Sequence, residues 1–280
     1  MDFFEVGLSE DFRRFFSEDD LQGNFYYLTK LPNEEIECSL KIKSDVLLSG
    51  LPYLVGAFNF LGAKLSMFEF ENFEGKNFKQ GEVIKFNLPF NIALTGERVA
   101  LNLVQQSTRI STFTQAFVSI AEKKNIKILD TRKTTPGLRS LEKYAVRVGG
   151  AYNHRMSQCD VFMIKDNHKT IFGSLEKAFH YFKSMQTFYN SLVVEIHSEA
   201  ELKEAISLGI KHVMLDNFSP EAVQKAIAFK KPGMTYELSG GLNLKTLEHY
   251  LIDGVDALSI GALTHSAPHV DLSLKMKKLN

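Results

Sequence analysis

Arg132, Lys133, Arg155 and Lys165 supply four cations, and Glu195 and Asp216 two carboxylates, in positions where chemistry could be done. Arg132 and Lys133 lie side by side just past an apolar run at 126–129, among Thr131, Thr134 and Thr135. Adjacent cations with hydroxyls at the end of a strand suit a multiply charged anion. Lys165 directly follows the apolar run 161–164, so it should be paired with an anion, because an unpaired charge emerging from a buried strand is costly. Glu195 and Asp216 close two further runs, where carboxylates suit Mg²⁺ or sugar hydroxyls. Ser239-Gly240-Gly241 and Ser259-Ile260-Gly261 follow the last two runs. Glycines there let backbone amides approach a phosphate, and the next helix N-terminus adds its positive end. The competing reading is of tight turns and a solvated basic loop; the agreement of the two glycine loops favours phosphate. His154, beside Arg155, and His265, after Gly261, are the histidines placed to join such a site. No HExxH, GxSxG or GxxxxGK[ST] pattern occurs.

The elements that must hold these residues show in the spacing. Short apolar runs at 126–129, 161–164, 192–196, 212–215, 235–238 and 257–260 alternate with amphipathic stretches, and each run suits a strand buried on both faces. Glu195, Asp216, Ser239 and Gly261 are separated by 21, 23 and 22 residues, about one strand-helix unit each. Such regularity favours a parallel sheet, barrel or doubly wound, whose C-terminal strand ends share one site. Ser198 with Glu201 fits a capping box, Ser219-Pro220 a second helix start, and Asn243 a cap for a helix through Tyr250. Gly209 and Gly254 sit where helix ends need a left-handed residue.

The first hundred residues have a different texture. Residues 35–42 and 83–88 alternate as half-buried antiparallel strands, with 76–81 a polar loop between them. Residues 46–63 carry no formal charge, but their Gly, Pro, Ser and Asn content fits a turn at Ser49-Gly50 and a buried helix opened by Pro52, not a membrane span. A long helix is expected from Gly96 to about Lys124.

The 280 residues contain 33 Lys+Arg and 33 Asp+Glu, 44% hydrophobic and 24% charged, which fits a globular chain of one large or two unequal domains. A net charge of zero argues against a general nucleic-acid binder. Cys38 and Cys159 cannot build a disulfide framework or a CxxC site. The acidic Met1-Asp2-Phe3-Phe4-Glu5 start has no signal-peptide pattern, so a cytoplasmic protein is expected.

In its motifs the chain resembles the quinolinate phosphoribosyltransferases. They are Gly96-Glu97-Arg98-Val99-Ala100-Leu101-Asn102, Leu129-Asp130-Thr131-Arg132-Lys133-Thr134 with Pro136-Gly137-Leu138-Arg139, Lys143-Tyr144-Ala145-Val146, Gly149-Gly150, Asn153-His154-Arg155 and Ile164-Lys165-Asp166-Asn167-His168. Val194-Glu195, Leu215-Asp216-Asn217, Glu237-Leu238-Ser239-Gly240-Gly241 and Gly261-Ala262-Leu263-Thr264-His265-Ser266 follow in the family's order. The resemblance implies an α/β protein of type II phosphoribosyltransferase architecture. An N-terminal α/β sandwich (α+β) domain would span 1–103, and an incomplete, TIM-like α/β barrel 104–266. The tail from about 267 to 280 would return to the first domain.

The implied reaction joins quinolinate to 5-phosphoribosyl 1-pyrophosphate, carried with Mg²⁺, and yields nicotinate mononucleotide, pyrophosphate and CO₂ for NAD biosynthesis. Arg98, Thr131, Arg132, His154, Arg155 and Lys165 would bind quinolinate. Lys133, Glu195 and Asp216 would be catalytic. They would bind phosphoribosyl pyrophosphate together with Ser239, Gly240, Gly241, Ile260, Gly261, Ala262 and His265. Glu195 and Asp216 would meet Mg²⁺ indirectly. The family also implies a homodimer with shared sites, Arg98 entering the partner's barrel, and larger assemblies built from dimers. One departure is Thr108-Arg109-Ile110-Ser111-Thr112 where the family has Ser-Gly-Ile-Ala-Thr, so Arg109 replaces Gly. The alternatives are a sibling enzyme acting on nicotinate or another pyridine-like acid, which needs fewer cations, and a phosphate-binding barrel without catalysis.

Overall fold

The computed structural model describes residues 3–19 and 21–279. In chain order the first elements are α1 (Phe3–Glu18), α2 (Leu21–Lys30), β1 (Glu35–Ile42), β2 (Val46–Leu47), α3 (Leu51–Phe60), β3 (Asn77–Phe78), β4 (Val83–Pro89) and α4 (Phe90–Ala121). Next come β5 (Lys127–Leu129), α5 (Arg139–Val148), β6 (Phe162–Ile164), α6 (Asp166–Phe172), α7 (Leu175–Ser184), β7 (Leu192–Ile196) and α8 (Glu199–Ser207). The chain closes with β8 (His212–Asp216), α9 (Pro220–Ile227), β9 (Thr235–Ser239), β10 (Ala257–Ser259), α10 (Ala262–His265) and β11 (Leu272–Lys278).

The chain forms two compact units, Met1–Thr112 with Pro268–Asn280, and Phe113–Ala267. The division falls inside α4 at 112/113 instead of 103/104, and the tail starts at 268. The reason is a seam of small polar side chains on α4. Ser111 Oγ donates to the Leu47 carbonyl at 2.7 Å, Thr108 Oγ1 donates to the Ser49 carbonyl at 2.9 Å, and Ser107 and Ser49 hydroxyls meet at 2.7 Å. These bonds tie the middle of α4 to the first unit. Arg109 lies among them half-buried, its Nε donating to Gln106 Oε1 at 2.8 Å, so the guanidinium runs along the helix surface.

In the first unit β1 is central, antiparallel to β4 and to β11 from the far end of the chain. Its alternation buries Ile36, Cys38, Leu40 and Ile42, and β4 adds Ile84, Phe86 and Leu88. Phe58 of α3 packs on that face, its ring centroid 6.3 Å from that of Phe86. The expected polar loop at 76–81 instead contains β3, because Val46 pairs with Phe78 across a two-residue ladder. The long helix starts at Phe90, earlier than Gly96, because Ile92 and Ala93 already belong to its buried stripe.

In the second unit six parallel strands run in the order β5-β10-β9-β8-β7-β6. The edge strands β5 and β6 do not pair with each other among the described residues, so the barrel is open; beyond β5 only Tyr152 adds a bridge, to Leu129. All six apolar runs are strands. Ile164, Val194, Val213, Tyr236 and Leu258 are buried on one face, while Met163, Val193 and Met214 cluster on the other. Burial on both faces is what makes such strands near-continuously apolar. Ser198 and Ser219 cap α8 and α9 through the backbone N–H groups of Glu201 and Ala222, both at 3.2 Å. The Glu201 carboxylate does not complete a box with Ser198 as expected; it accepts from the His197 N–H at 2.8 Å and from Lys169. Asn243 accepts from the N–H groups of Lys245 and Thr246 and heads a turn into a 3-10 helix, Leu247–Tyr250, where an α-helix was expected. Gly209 and Gly254 do take positive φ, 73° and 100°. No helix among the described residues is long and apolar enough to cross a membrane.

Candidate active site

Side chains two residues apart on a strand share a face. The buried layer of Met163, Val193 and Met214 is therefore followed, two residues on, by Lys165, Glu195 and Asp216 at the strand ends. Beside them stand Ser239 and Gly261, and together they line a cavity of about 660 Å³. Thr131, Arg132, Lys133, His154 and Arg155 close one side of it, and Gly240, Gly241, Ile260, Ala262 and His265 another.

The first side is cationic and tightly built. Asp130, just past the end of β5, is fully buried and accepts from Lys143 Nζ at 2.5 Å, Asn153 Nδ2 at 2.7 Å and the His154 N–H at 2.7 Å. Burial nevertheless holds its carboxyl above the usual aspartate range, with Lys143 pulling it back. Arg155 donates to the Val161 carbonyl at 2.8 Å. Burial, and next the charge of Arg132, press its guanidinium to lose its proton more readily than usual. The Arg132 Nε is buried with no hydrogen-bond partner in the structure. Two arginines that repel each other, one with an unsatisfied donor, make a strong site for a dianion. His154 Nδ1 accepts from the Arg155 N–H at 2.7 Å, which leaves Nε2 facing Glu237 Oε1 at 3.4 Å.

The glycine side is shaped by close approach. A Cβ on Gly261 would sit 3.0 Å from Lys133 Cδ and 3.1 Å from His265 Nε2, so the absence of a side chain lets both cross the loop. Gly240 has φ 101°, and a Cβ there would lie 2.2 Å from Asn217 Oδ1. The Asn217 N–H donates to the Ser239 carbonyl at 2.8 Å, locking the loops after β8 and β9 together. Thr264 Oγ1 donates to the Lys133 carbonyl at 2.7 Å, tying α10 to the cationic loop.

Between the two sides lie the carboxylates. Lys165 Nζ donates to Glu195 Oε2 at 2.5 Å, the pairing expected for that lysine, although its side chain is 46% exposed. His197 Nε2 lies 2.8 Å from Asp166 Oδ1 and 3.4 Å from Glu195 Oε1, and its Nδ1 lies 3.7 Å from Asp216 Oδ2. One imidazole thus gathers three carboxylates. Asp166, Glu195 and His197 could hold a cation, but Lys165 and Lys169 already sit on two of the carboxylates. Lys169 holds the Asp166 carboxyl below the usual range.

The structure thus brings together around one cavity every residue singled out from the sequence except Arg98. Arg98 is exposed on α4, in the other unit, and does not line the cavity. The lining also includes Met163, Met214 and Leu242, and the supports Lys143, His197 and Glu237 had no role from the sequence. Met163 and Met214 could have been found by counting two residues back from Lys165 and Asp216. Lys143 gave no such signal, since nothing in its neighbours tells which way α5 turns it.

A sequence model of the family described as "Quinolinate phosphoribosyl transferase, C-terminal domain" matches residues 110–275. The chain belongs to the quinolinate phosphoribosyltransferase family. It is 36% identical over 267 residues to the probable carboxylating nicotinate-nucleotide pyrophosphorylase of Bacillus subtilis, covering 95% of this chain and 92% of that protein. The human carboxylating nicotinate-nucleotide pyrophosphorylase is 35% identical over 245 residues, covering 86% of this chain and 82% of its own. The crystal structure of NadC from Streptococcus pyogenes superposes with a TM-score of 0.90 at 32% identity, covering 100% of each chain. The α/β architecture of these type II phosphoribosyltransferases is therefore that of this chain.

Proposed function

We propose that the protein transfers the phosphoribosyl group of 5-phosphoribosyl 1-pyrophosphate to quinolinate with loss of CO₂, giving nicotinate mononucleotide for NAD biosynthesis. The observation that carries this is one cavity lined both by Arg155 and Arg132, whose buried Nε has no hydrogen-bond partner, and by the glycine loops after β9 and β10. A dicarboxylate partners the arginines and a 5-phosphate fills the glycine loops. Thr131, Arg132, His154, Arg155 and Lys165 hold the quinolinate carboxylates, and Ser239, Gly240, Gly241, Ile260, Gly261, Ala262 and His265 cradle the phosphate. Carboxylating relatives at 36% and 35% identity favour this over a sibling that uses nicotinate.

The pyridine nitrogen attacks the anomeric carbon while pyrophosphate leaves. Lys133 meets the negative charge growing on the leaving group. Glu195 and Asp216 face the ribose, where positive charge grows. Holding both substrates in line supplies much of the remaining acceleration. The C2–carboxylate bond then breaks, its electron pair drawn towards the quaternised nitrogen, and a proton takes its place at C2.

Mg²⁺ carried on the pyrophosphate would screen its charge. The carboxylates of Glu195, Asp216 and Asp166 are oxygen donors that suit that ion. Because Lys165 already pairs with Glu195, they would meet the metal indirectly. Two copies would pair with Arg98 of each completing the other's site, larger assemblies arising from such dimers, and the chain would work in the cytoplasm. The test is a mass-resolved product assay with quinolinate. Nicotinate mononucleotide with CO₂ supports the assignment, and no product with folded protein contradicts it.

A further inference from the structure

Lys143 and Asp130 form an ion pair with side chains only 1% and 0% exposed, yet neither reaches the cavity lining. Removing two full charges from water is expensive, and such a pair is a weak source of stability. Its bonds show what it holds instead. Asp130 takes the His154 N–H, and Lys143 Nζ donates to the His154 carbonyl at 3.1 Å. Asn153 Nδ2 bonds both Asp130 Oδ2 and the Lys143 carbonyl, at 2.7 and 2.9 Å. The pair therefore grips both backbone faces of His154, and the residue before it, through bonds with no slack. Glu237 adds a hold on the imidazole, and it is itself bonded by the Ser259 hydroxyl.

We infer that Asp130, Lys143 and Asn153 are positioning residues that fix His154 and Arg155 against Arg132, and so set recognition of the dicarboxylate substrate. Asp130 also begins the loop carrying Thr131, Arg132 and Lys133, so one buried carboxylate registers both cationic segments. No hydrogen bond among the described residues joins Gly240, Gly241 or Gly261 to Asp130, Lys143 or Asn153; the loop after β9 is held by Asn217, and α10 by Thr264 on the Lys133 carbonyl. Loosening the network therefore weakens quinolinate more than phosphoribosyl pyrophosphate. This rests on the quinolinate assignment made above.

The test uses the full-length Asp130→Leu/Lys143→Met double variant. It removes the anchor while leaving no unpaired buried charge, which is better tolerated than either single change. The expected result is a folded protein whose KM for quinolinate rises about tenfold or more, because misplacement on the order of 1 Å costs that much or more, while its KM for phosphoribosyl pyrophosphate stays within about twofold. A quinolinate KM within about twofold of the parent, or an equal rise in both constants, overturns the inference. Should the double variant not fold, Asn153→Ala, which spares the ion pair, is judged by the same split. Arg155→Ala is run in parallel. If it too leaves the quinolinate KM unmoved, the substrate assignment is what fails; if it raises that KM and the anchor variants do not, only the positioning role fails.

Discussion

Lys133 makes no ion pair among the described residues, and its stem crosses Gly261 into the cavity. A cation kept free of carboxylates is available to the leaving pyrophosphate. Lys133→Ala should lower kcat by about 10²- to 10³-fold, as loss of one aimed electrostatic group does. Its melting temperature should not change, because no internal partner is orphaned; a collapse in stability would show that the lysine is structural. Gly240→Ala is the converse case. A methyl group at φ 101°, 2.2 Å from Asn217 Oδ1, should cost about 1–3 kcal/mol and raise the KM for phosphoribosyl pyrophosphate, read by thermal melts and kinetics. Both residues were legible in the sequence, since charges and glycines at strand ends declare themselves once the strands are found. Asp130 and Lys143 were not legible as supports. They are 13 residues apart, and their pairing depends on the rotation of α5, which local pattern does not specify.

Elements were read most easily where burial leaves one solution. Residues 192–196 suit a strand buried on both faces, and β7 is buried throughout. Helix starts marked by Ser219-Pro220 were equally plain, because the cap is local chemistry. Ser219→Ala should destabilise the second unit by about 1 kcal/mol. That corresponds to a fall of about 2–4 °C in its melting temperature, measurable by calorimetry. The turn after Asn243 and the β2–β3 ladder were missed, since each depends on a partner distant in sequence or on a crossover too short for an α-helix. The two cysteines separate by element. Cys38 lies inside β1, and burial pushes its thiol up to about 12, whereas Cys159 is exposed in a loop. Iodoacetamide at pH 8 should add one group per native chain, on Cys159, because only the thiolate reacts. A second adduct by mass spectrometry would show that β1 opens readily.

At the scale of the whole molecule the chain returns on itself: β11 pairs with β1 from the opposite end of the sequence, through the register Ile36 to Lys278 and Ile42 to Leu272. That return was expected only through the family resemblance, as were the dimer and the role of Arg98; nothing in local periodicity carries them. If sites are shared, mixing inactive Arg98→Ala and Lys133→Ala subunits should restore partial activity, since some mixed dimers hold one intact site. No recovery despite demonstrated subunit exchange would place Arg98 outside catalysis. The identity of the acceptor separates this enzyme from a sibling that uses nicotinate. The deciding experiment gives the purified protein phosphoribosyl pyrophosphate and Mg²⁺, with quinolinate in one reaction and nicotinate in another, and resolves products by mass. Nicotinate mononucleotide and CO₂ from quinolinate, with no product from nicotinate, is the predicted result. Product from nicotinate alone would contradict it and show that the paired arginines serve a monocarboxylate.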